Sequence, residues 1–258
     1  MSHQDTYTHN EAYAEFLANW DENFYAKYAD TLKPARAGDK VLDVGCGAGQ
    51  VVARLTEAGY EAHGVDVSEP SIERAKKFCP RCQVYDGMRL PYPDDFFESA
   101  GALNVLEHVE NPEAFITELV RVVAPNGRVV ISSPNFLRAI GFRDYHPKMR
   151  GLKNKWANFK RIQDKRDQMA RHPDLVRFDR MTPIVKEPFE PDDDAIIATN
   201  ALEIAFFLER SGCKVEQVAC TDRYVAKPLD LMLNATPLRY LMFSGFVVAK
   251  KLISKPSR

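Results

Sequence analysis

Residues Val41-Leu42-Asp43-Val44-Gly45-Cys46-Gly47-Ala48-Gly49 run an apolar strand straight into a turn holding three glycines, and a helical pattern follows from Val51. Missing side chains let the backbone approach a ligand closely, and small residues let the helix start tight against the strand. The turn alone does not choose its ligand, because dinucleotide enzymes use the same device. Its surroundings narrow the choice. Asp43 lies two residues before the first glycine, where a carboxylate can face the ammonium of a bound amino acid; dinucleotide sites usually carry an apolar residue there. The sixth position counted from Gly45 is Gln50, so the dinucleotide fingerprint is incomplete. Asp66, ending the next strand, is placed to accept both hydroxyls of a ribose.

Beyond the turn the pattern alternates. Val51 to Ala58 reads as a helix stopped by Gly59, and Ala62 to Val67 as a strand. Ser68 caps a helix through Phe78, Gln83 to Tyr85 is a short strand, and Ser99 to Val105 another. Pro112 to Ala124 reads as a helix with Pro125-Asn126-Gly127 turning out of it, and Arg128 to Ser132 as a fifth strand. Such alternation predicts a mainly parallel sheet with helices on both faces, whose ligands bind at the carboxyl ends of the strands. From about residue 136 to 194 it stops, and a Pro- and charge-rich insertion with a helix near Trp156 to Arg171 takes over. A helix from about Ala195 to Arg210, a strand Lys214 to Thr221 and a last apolar strand Phe243 to Lys250 complete the domain.

The expected organisation is one domain over 1–258, with an N-terminal helical segment over 1–38 and the insertion over 136–194 acting as a substrate lid. Tyr13, Phe16, Leu17, Trp20, Phe24 and Tyr28 recur every three or four residues, an aromatic stripe on a helix that packs on the domain and caps the ligand pocket. No basic-then-apolar leader and no run of about 20 apolar residues is visible. Five cysteines, odd in number and few for 258 residues, suit a reducing cytoplasm. Cys79-Pro80-Arg81-Cys82 has no second half-site, so no metal is expected.

Over residues 40–135 the chain resembles class I S-adenosylmethionine-dependent methyltransferases. Asp43 to Gly49 is similar to the family's cofactor loop, Gly64-Val65-Asp66-Val67-Ser68 to its ribose-binding strand end, and Tyr85-Asp86-Gly87-Met88-Arg89-Leu90-Pro91-Tyr92 to the segment whose Asp meets the adenine amino group. Asn104-Val105-Leu106-Glu107-His108-Val109 resembles the stretch facing the methionine end of the cofactor. The resemblance implies a Rossmann-like seven-stranded sheet of order 3-2-1-4-5-7-6, strand seven antiparallel, and S-adenosylmethionine as cofactor. It places Asp43, Gly45, Cys46, Gly47, Gly49, Asp66, Val67, Asp86, Gly87, Met88 and Asn104 at that cofactor.

Methyl transfer from a sulfonium needs alignment and exclusion of water, and no enzyme nucleophile. A hydroxyl acceptor must lose a proton, and a histidine is a suitable base. His108, beside the reactive end by resemblance, is the first candidate, with pocket-shaping as its other role; His146 at the start of the insertion is the second. Thirteen Lys and Arg against five Asp between residues 143 and 186 suggest an acceptor bearing phosphate or carboxylate, or else a solvated face balancing the acidic run 187–194. Trp156, Phe159, Ile162 and Met169, at helical spacing, are expected to dock the insertion. The leading expectation is O-methylation of a small polar or anionic molecule, such as a sugar derivative or another biosynthetic intermediate. An RNA methyltransferase and a non-catalytic cofactor-binding protein are the alternatives, and a net charge of -1 disfavours nucleic acid.

Overall fold

Val41 to Val44 are buried without exception because their strand lies in the middle of a sheet covered on both faces. The computed structural model describes residues 5–18, 22–141, 144, 146–184 and 192–253. Seven strands, β1 (Lys40–Val44), β2 (Glu61–Asp66), β3 (Cys82–Val84), β4 (Phe97–Leu103), β5 (Val123–Pro134), β6 (Cys213–Ala219) and β7 (Ser244–Lys251), form the sheet in the order β3-β2-β1-β4-β5-β7-β6. β1 runs parallel to β2 and β4, and β4 to β5. β7 is antiparallel to both β5 and β6. The order and direction implied by the family resemblance are those observed.

Side chains alternate along β1, so Leu42 and Val44 enter one core and Val41 the other. The helices are α1 (Asp5–Thr8), α2 (Glu11–Ala18), α3 (Glu22–Leu32), α4 (Gln50–Glu57), α5 (Glu69–Ala75), α6 (Pro112–Val122), α7 (Gly151–Arg171), α8 (Ala201–Arg210) and α9 (Lys227–Asn234). α3, α4 and α5 cover one face through Leu32, Leu55 and Ile72; α6 and α8 cover the other through Leu119 and Ile204. Ser68, Asn111 and Asn200 cap α5, α6 and α8, each accepting a backbone N–H three residues on. Every crossover returns the chain so that β1, β2 and β4 end on the same side, which is where a site can form.

Several boundaries differ from the sequence expectation for physical reasons. The aromatic stripe falls on two helices, α2 and α3; Trp20 lies outside the described residues, as do the side chains of Phe16 and Leu17. Pro125-Asn126-Gly127 is a bulge inside β5, with Asn126 at φ 66, because pairing jumps from Phe97↔Val123 to Ser99↔Arg128. α8 starts at Ala201, since Ile197–Ala198 pairs instead with Asp179–Arg180 in a two-stranded ribbon. α9 and the 3₁₀ turn Pro237–Tyr240 were not anticipated between the last two strands.

The insertion carries its own small core of Phe136, Leu137, Met149, Ile162, Met181, Ala195 and Ala198. Ile162 docks there and Met169 against the main core, as expected, but Trp156 is 60% exposed, stacked on Phe159 at 5.7 Å. Charge supplies the rest of the docking. The Lys165 ammonium, fully buried on α7, donates to Glu203 Oε1 on α8 at 2.6 Å and lies 2.9 Å from Asp179 Oδ1 on the ribbon. A single-partner deletion leaves a buried charge uncompensated. Lys165→Met is expected to lower unfolding stability by about 3 kcal/mol in urea titrations, and the double variant Lys165→Met/Glu203→Leu to recover a large part of it.

Candidate cofactor and acceptor site

The carboxyl ends of β1, β2 and β4 open into a cavity of about 150 Å3, which adjoins a second of about 590 Å3. Its floor is the glycine turn. Gly45, Gly47 and Gly49 all take left-handed φ, at 72°, 52° and 90°. At Gly45 a Cβ would fall 2.2 Å from a Val105 methyl, and at Gly49 2.9 Å from the Ala75 backbone, so α4 and α5 close up only because those side chains are absent. Gly45, Cys46 and Gly47 line the cavity, whereas Gly49 serves the helix start.

The Asp66 carboxylate ties the floor together. One oxygen accepts the Gly47 N–H and the other the Ser68 N–H, both at 2.9 Å. Asp43 is buried beneath the turn and accepts the Tyr28 hydroxyl of α3 at 2.9 Å. Burial, reinforced by the charge of Asp66, pushes the Asp43 carboxyl up to about 7 despite that hydrogen bond. Val67 and Asn104 also line the cavity, Asn104 at φ 53 with its N–H donated to the Ser132 carbonyl. Asp86, Gly87 and Met88 lie in an adjoining cavity that shares Tyr7, Val67, Tyr85, Val105 and His108 with the first. Asp86 Oδ1 accepts the N–H groups of Met88 and Arg89, both at 2.8 Å, so this side chain shapes its own loop.

The roof comes from the N-terminal segment. Tyr7, Tyr13, Phe24 and Tyr25 line the main cavity, so the aromatic stripe does cap the pocket. Tyr7, in a four-residue helix too short to show periodicity, was not singled out. Its hydroxyl donates to Asp194 Oδ2 at 2.7 Å and lies 3.3 Å from His108 Nδ1.

His108 therefore lines both cavities, with Asp194 Oδ1 3.8 Å from Nδ1 and Glu107 Oε1 3.9 Å from Nε2. Burial, followed by the charge of Asp192, raises the Glu107 carboxyl well above its ordinary range. His146 does not reach the cleft. It lines neither cavity, is 3% exposed, packs edge-on to Phe136 at 5.2 Å and accepts the Lys148 N–H. Burial lowers its pKa, and its part is in the insertion's core.

The insertion's described basic residues do not reach the cleft either: among the described residues neither cavity has a Lys or Arg in its lining. Arg161 is paired with Asp179, Lys155 with Asp144, and Lys165 as above. An acceptor held through its own negative charge by the insertion is thus not supported. What the insertion delivers is acidic, Asp194 beside His108. Arg143, Tyr145, Lys186 and residues 187–191 lie outside the described residues. Cys79 and Cys82 are buried core thiols, the Cys79 thiol donating to the Ala62 carbonyl. No helix of the described residues is long and apolar enough to cross a membrane.

The family described as methyltransferase domain matches residues 42–131, the stretch that builds this cavity. Residues 42–131 carry a methyltransferase domain, and the chain has the fold of S-adenosylmethionine-dependent methyltransferases. Solved structures share the fold along nearly its whole length. A SAM-dependent methyltransferase from Aquifex aeolicus aligns with TM-score 0.55 and 15% identity, over 94% of this chain and 99% of that one. One from Mesorhizobium loti aligns with TM-score 0.57 and 17% identity, over 88% and 98%.

Among curated proteins, the methyltransferase domain is similar to 27-O-demethylrifamycin SV methyltransferase of Amycolatopsis mediterranei, 32% identical over 149 residues, 47% of this chain and 55% of that one. It is also similar to the mitochondrial ubiquinone biosynthesis O-methyltransferase of Schizosaccharomyces pombe, 37% identical over 106 residues, 38% of each chain. The chain spans about half the length, or less, of these curated relatives.

The residues present fit the cofactor. A side-chain-free floor, a carboxyl for an ammonium and a carboxylate at the end of β2 for a diol stand along one cavity. Since only ionised Asp43 attracts an ammonium, cofactor affinity should rise with pH up to about 7 and level off above it. Isothermal titration across that window checks this, and Asp43→Asn should lose both affinity and the slope.

Proposed function

We propose that this chain transfers the methyl group of S-adenosylmethionine to a hydroxyl of a small-molecule biosynthetic intermediate. The observation that carries the reading is the continuity of one cleft from the glycine turn and Asp66 to His108, under an aromatic roof. The O-methyltransferases among the relatives support oxygen as the methylated atom. The basic insertion gives the RNA reading its weight; among its described residues Lys155, Arg161 and Lys165 are paired with carboxylates and none lines either cavity. Five buried thiols suit a reducing compartment, and we place the enzyme in the cytoplasm.

In this reading Gly45, Cys46 and Gly47 give backbone access, Asp43 faces the cofactor's ammonium and Asp66 its ribose, while Val67, Asp86, Gly87 and Met88 border the adenine and Asn104 the methionine end. Bound S-adenosylmethionine supplies an electrophilic methyl on a sulfonium. The chain's own contribution is to align the acceptor and keep water out, through Tyr7, Tyr13, Phe24 and Tyr25. The N-terminal segment and the insertion over 136–194 act as the lid, joined where Tyr7 meets Asp194. His108, at the junction of the two cavities, is assigned to activating the acceptor hydroxyl.

Asp66→Ala should weaken cofactor binding about 10- to 100-fold, the loss expected for hydrogen bonds to a charged group. Gly47→Val should weaken it at least as much, because φ 52 strains a β-branched residue and its side chain intrudes on the ligand. Calorimetric affinities unchanged in both variants would rule out the cofactor assignment. His108→Ala should lower turnover about 100-fold while cofactor affinity stays within about twofold. Labelled-methyl transfer to a panel of hydroxylated small molecules and to RNA, in parallel, decides the acceptor class.

A further inference from the structure

Glu107 is 0% exposed next to His108, which lines the cleft. Its Oε2 accepts the Ser133 hydroxyl at 2.9 Å, but Oε1 accepts no hydrogen bond and points toward His108, 3.9 Å from Nε2. A buried carboxylate oxygen without a donor is costly unless a positive charge meets it. Asp192 supplies a third group. Single ligand atoms of Glu107, His108 and Asp192 all lie within 4.8 Å of one another.

Donors sharing one ion through bonds of roughly 2.0–2.3 Å stand roughly 3–4.5 Å apart, so closing these three on an ion takes side-chain shifts of a few tenths of an ångström. Backbone structure holds them there. Asp192 sits at a left-handed φ of 63° and its carbonyl accepts the Ala195 N–H, while the Ile196 N–H donates to the Glu107 carbonyl at 2.9 Å. The return of the insertion is thereby pinned to the 3₁₀ turn Leu106–His108.

We propose that Glu107, His108 and Asp192 bind a divalent cation at the acceptor end of the cleft, and that the cation takes an acceptor bearing two neighbouring oxygens. The acceptor half of this statement rests on the methyl-transfer reading; the binding site does not. One imidazole nitrogen with two carboxylates suits Mn2+ or Zn2+ better than an all-oxygen ion such as Ca2+. Three protein donors leave coordination positions open for acceptor oxygens. His108 then acts on the acceptor through the ion.

The test uses the full chain, stripped with chelator and titrated with Mn2+ alone by electron paramagnetic resonance and with Zn2+ by calorimetry. One ion per chain is expected. Glu107→Gln keeps the buried shape, and Asp192→Asn keeps the left-handed turn, which Asn tolerates; each should weaken Mn2+ affinity tenfold or more, about the smallest loss seen when a metal site is disturbed. Asp174→Asn, on an exposed carboxylate, should leave it unchanged. Far-ultraviolet circular dichroism confirms that each variant is folded. S-adenosylmethionine affinity is measured on the same samples. Intact cofactor binding with no stoichiometric Mn2+ or Zn2+, or ion binding indifferent to both folded variants, overturns the cation site alone. Ion binding that follows the variants without any cofactor binding keeps the site and removes the methyl-transfer reading.

Discussion

A carboxylate at the end of a buried strand holds the working parts of this molecule in register. Asp66 accepts one N–H from the glycine turn after β1 and another from the start of α5 after β2. Two crossover connections are thereby locked to each other at the edge where their strands end. A backbone turn with left-handed residues at Gly45, Gly47 and Gly49 would otherwise be among the more mobile parts of a sheet protein. With Asp66 in place the turn becomes a rigid floor, and Asp43 and Tyr28 brace it from below. The Asp66 oxygens keep hydrogen-bonding capacity beyond these two bonds, and in the proposed reading a ribose uses it.

The sheet was legible in the sequence because its causes are local. Buried strands such as Val41–Val44, the cap Ser68, and glycines forced by close approach all leave marks within a few residues. The lining of the main cavity by Asp43, Gly45, Gly47 and Asp66 was legible for the same reason, since these residues sit at strand ends that the pattern itself defines. Asp86 lines the adjoining cavity, and its loop-shaping hydrogen bonds follow from backbone geometry that spacing does not encode.

The acceptor half was not legible, because its residues meet only in three dimensions. His146 looked like a cleft residue from its position at the start of the insertion, but burial against Phe136 takes it elsewhere. Thirteen basic side chains suggested an anion, although the ones that matter to the fold are consumed by Asp144, Asp179 and Glu203. Tyr7 and Asp194 carry no periodic signal and lie 187 residues apart in the chain. Charge counted along a sequence says how much there is, and only the partners say where it is spent.

The meeting of Tyr7 and Asp194 also sets how the cleft can open. Both belong to segments that lie outside the seven-stranded sheet, and the Tyr7 side is the one that can be drawn away without opening a main core, because Ile196 and Ile197 beside Asp194 belong to that core whereas Tyr7 does not. The hydroxyl–carboxylate bond that joins them is of a kind worth about 1.5–3 kcal/mol, far less than the unfolding free energy of a typical domain. Ligand exchange therefore has a low-energy route that leaves the scaffold standing.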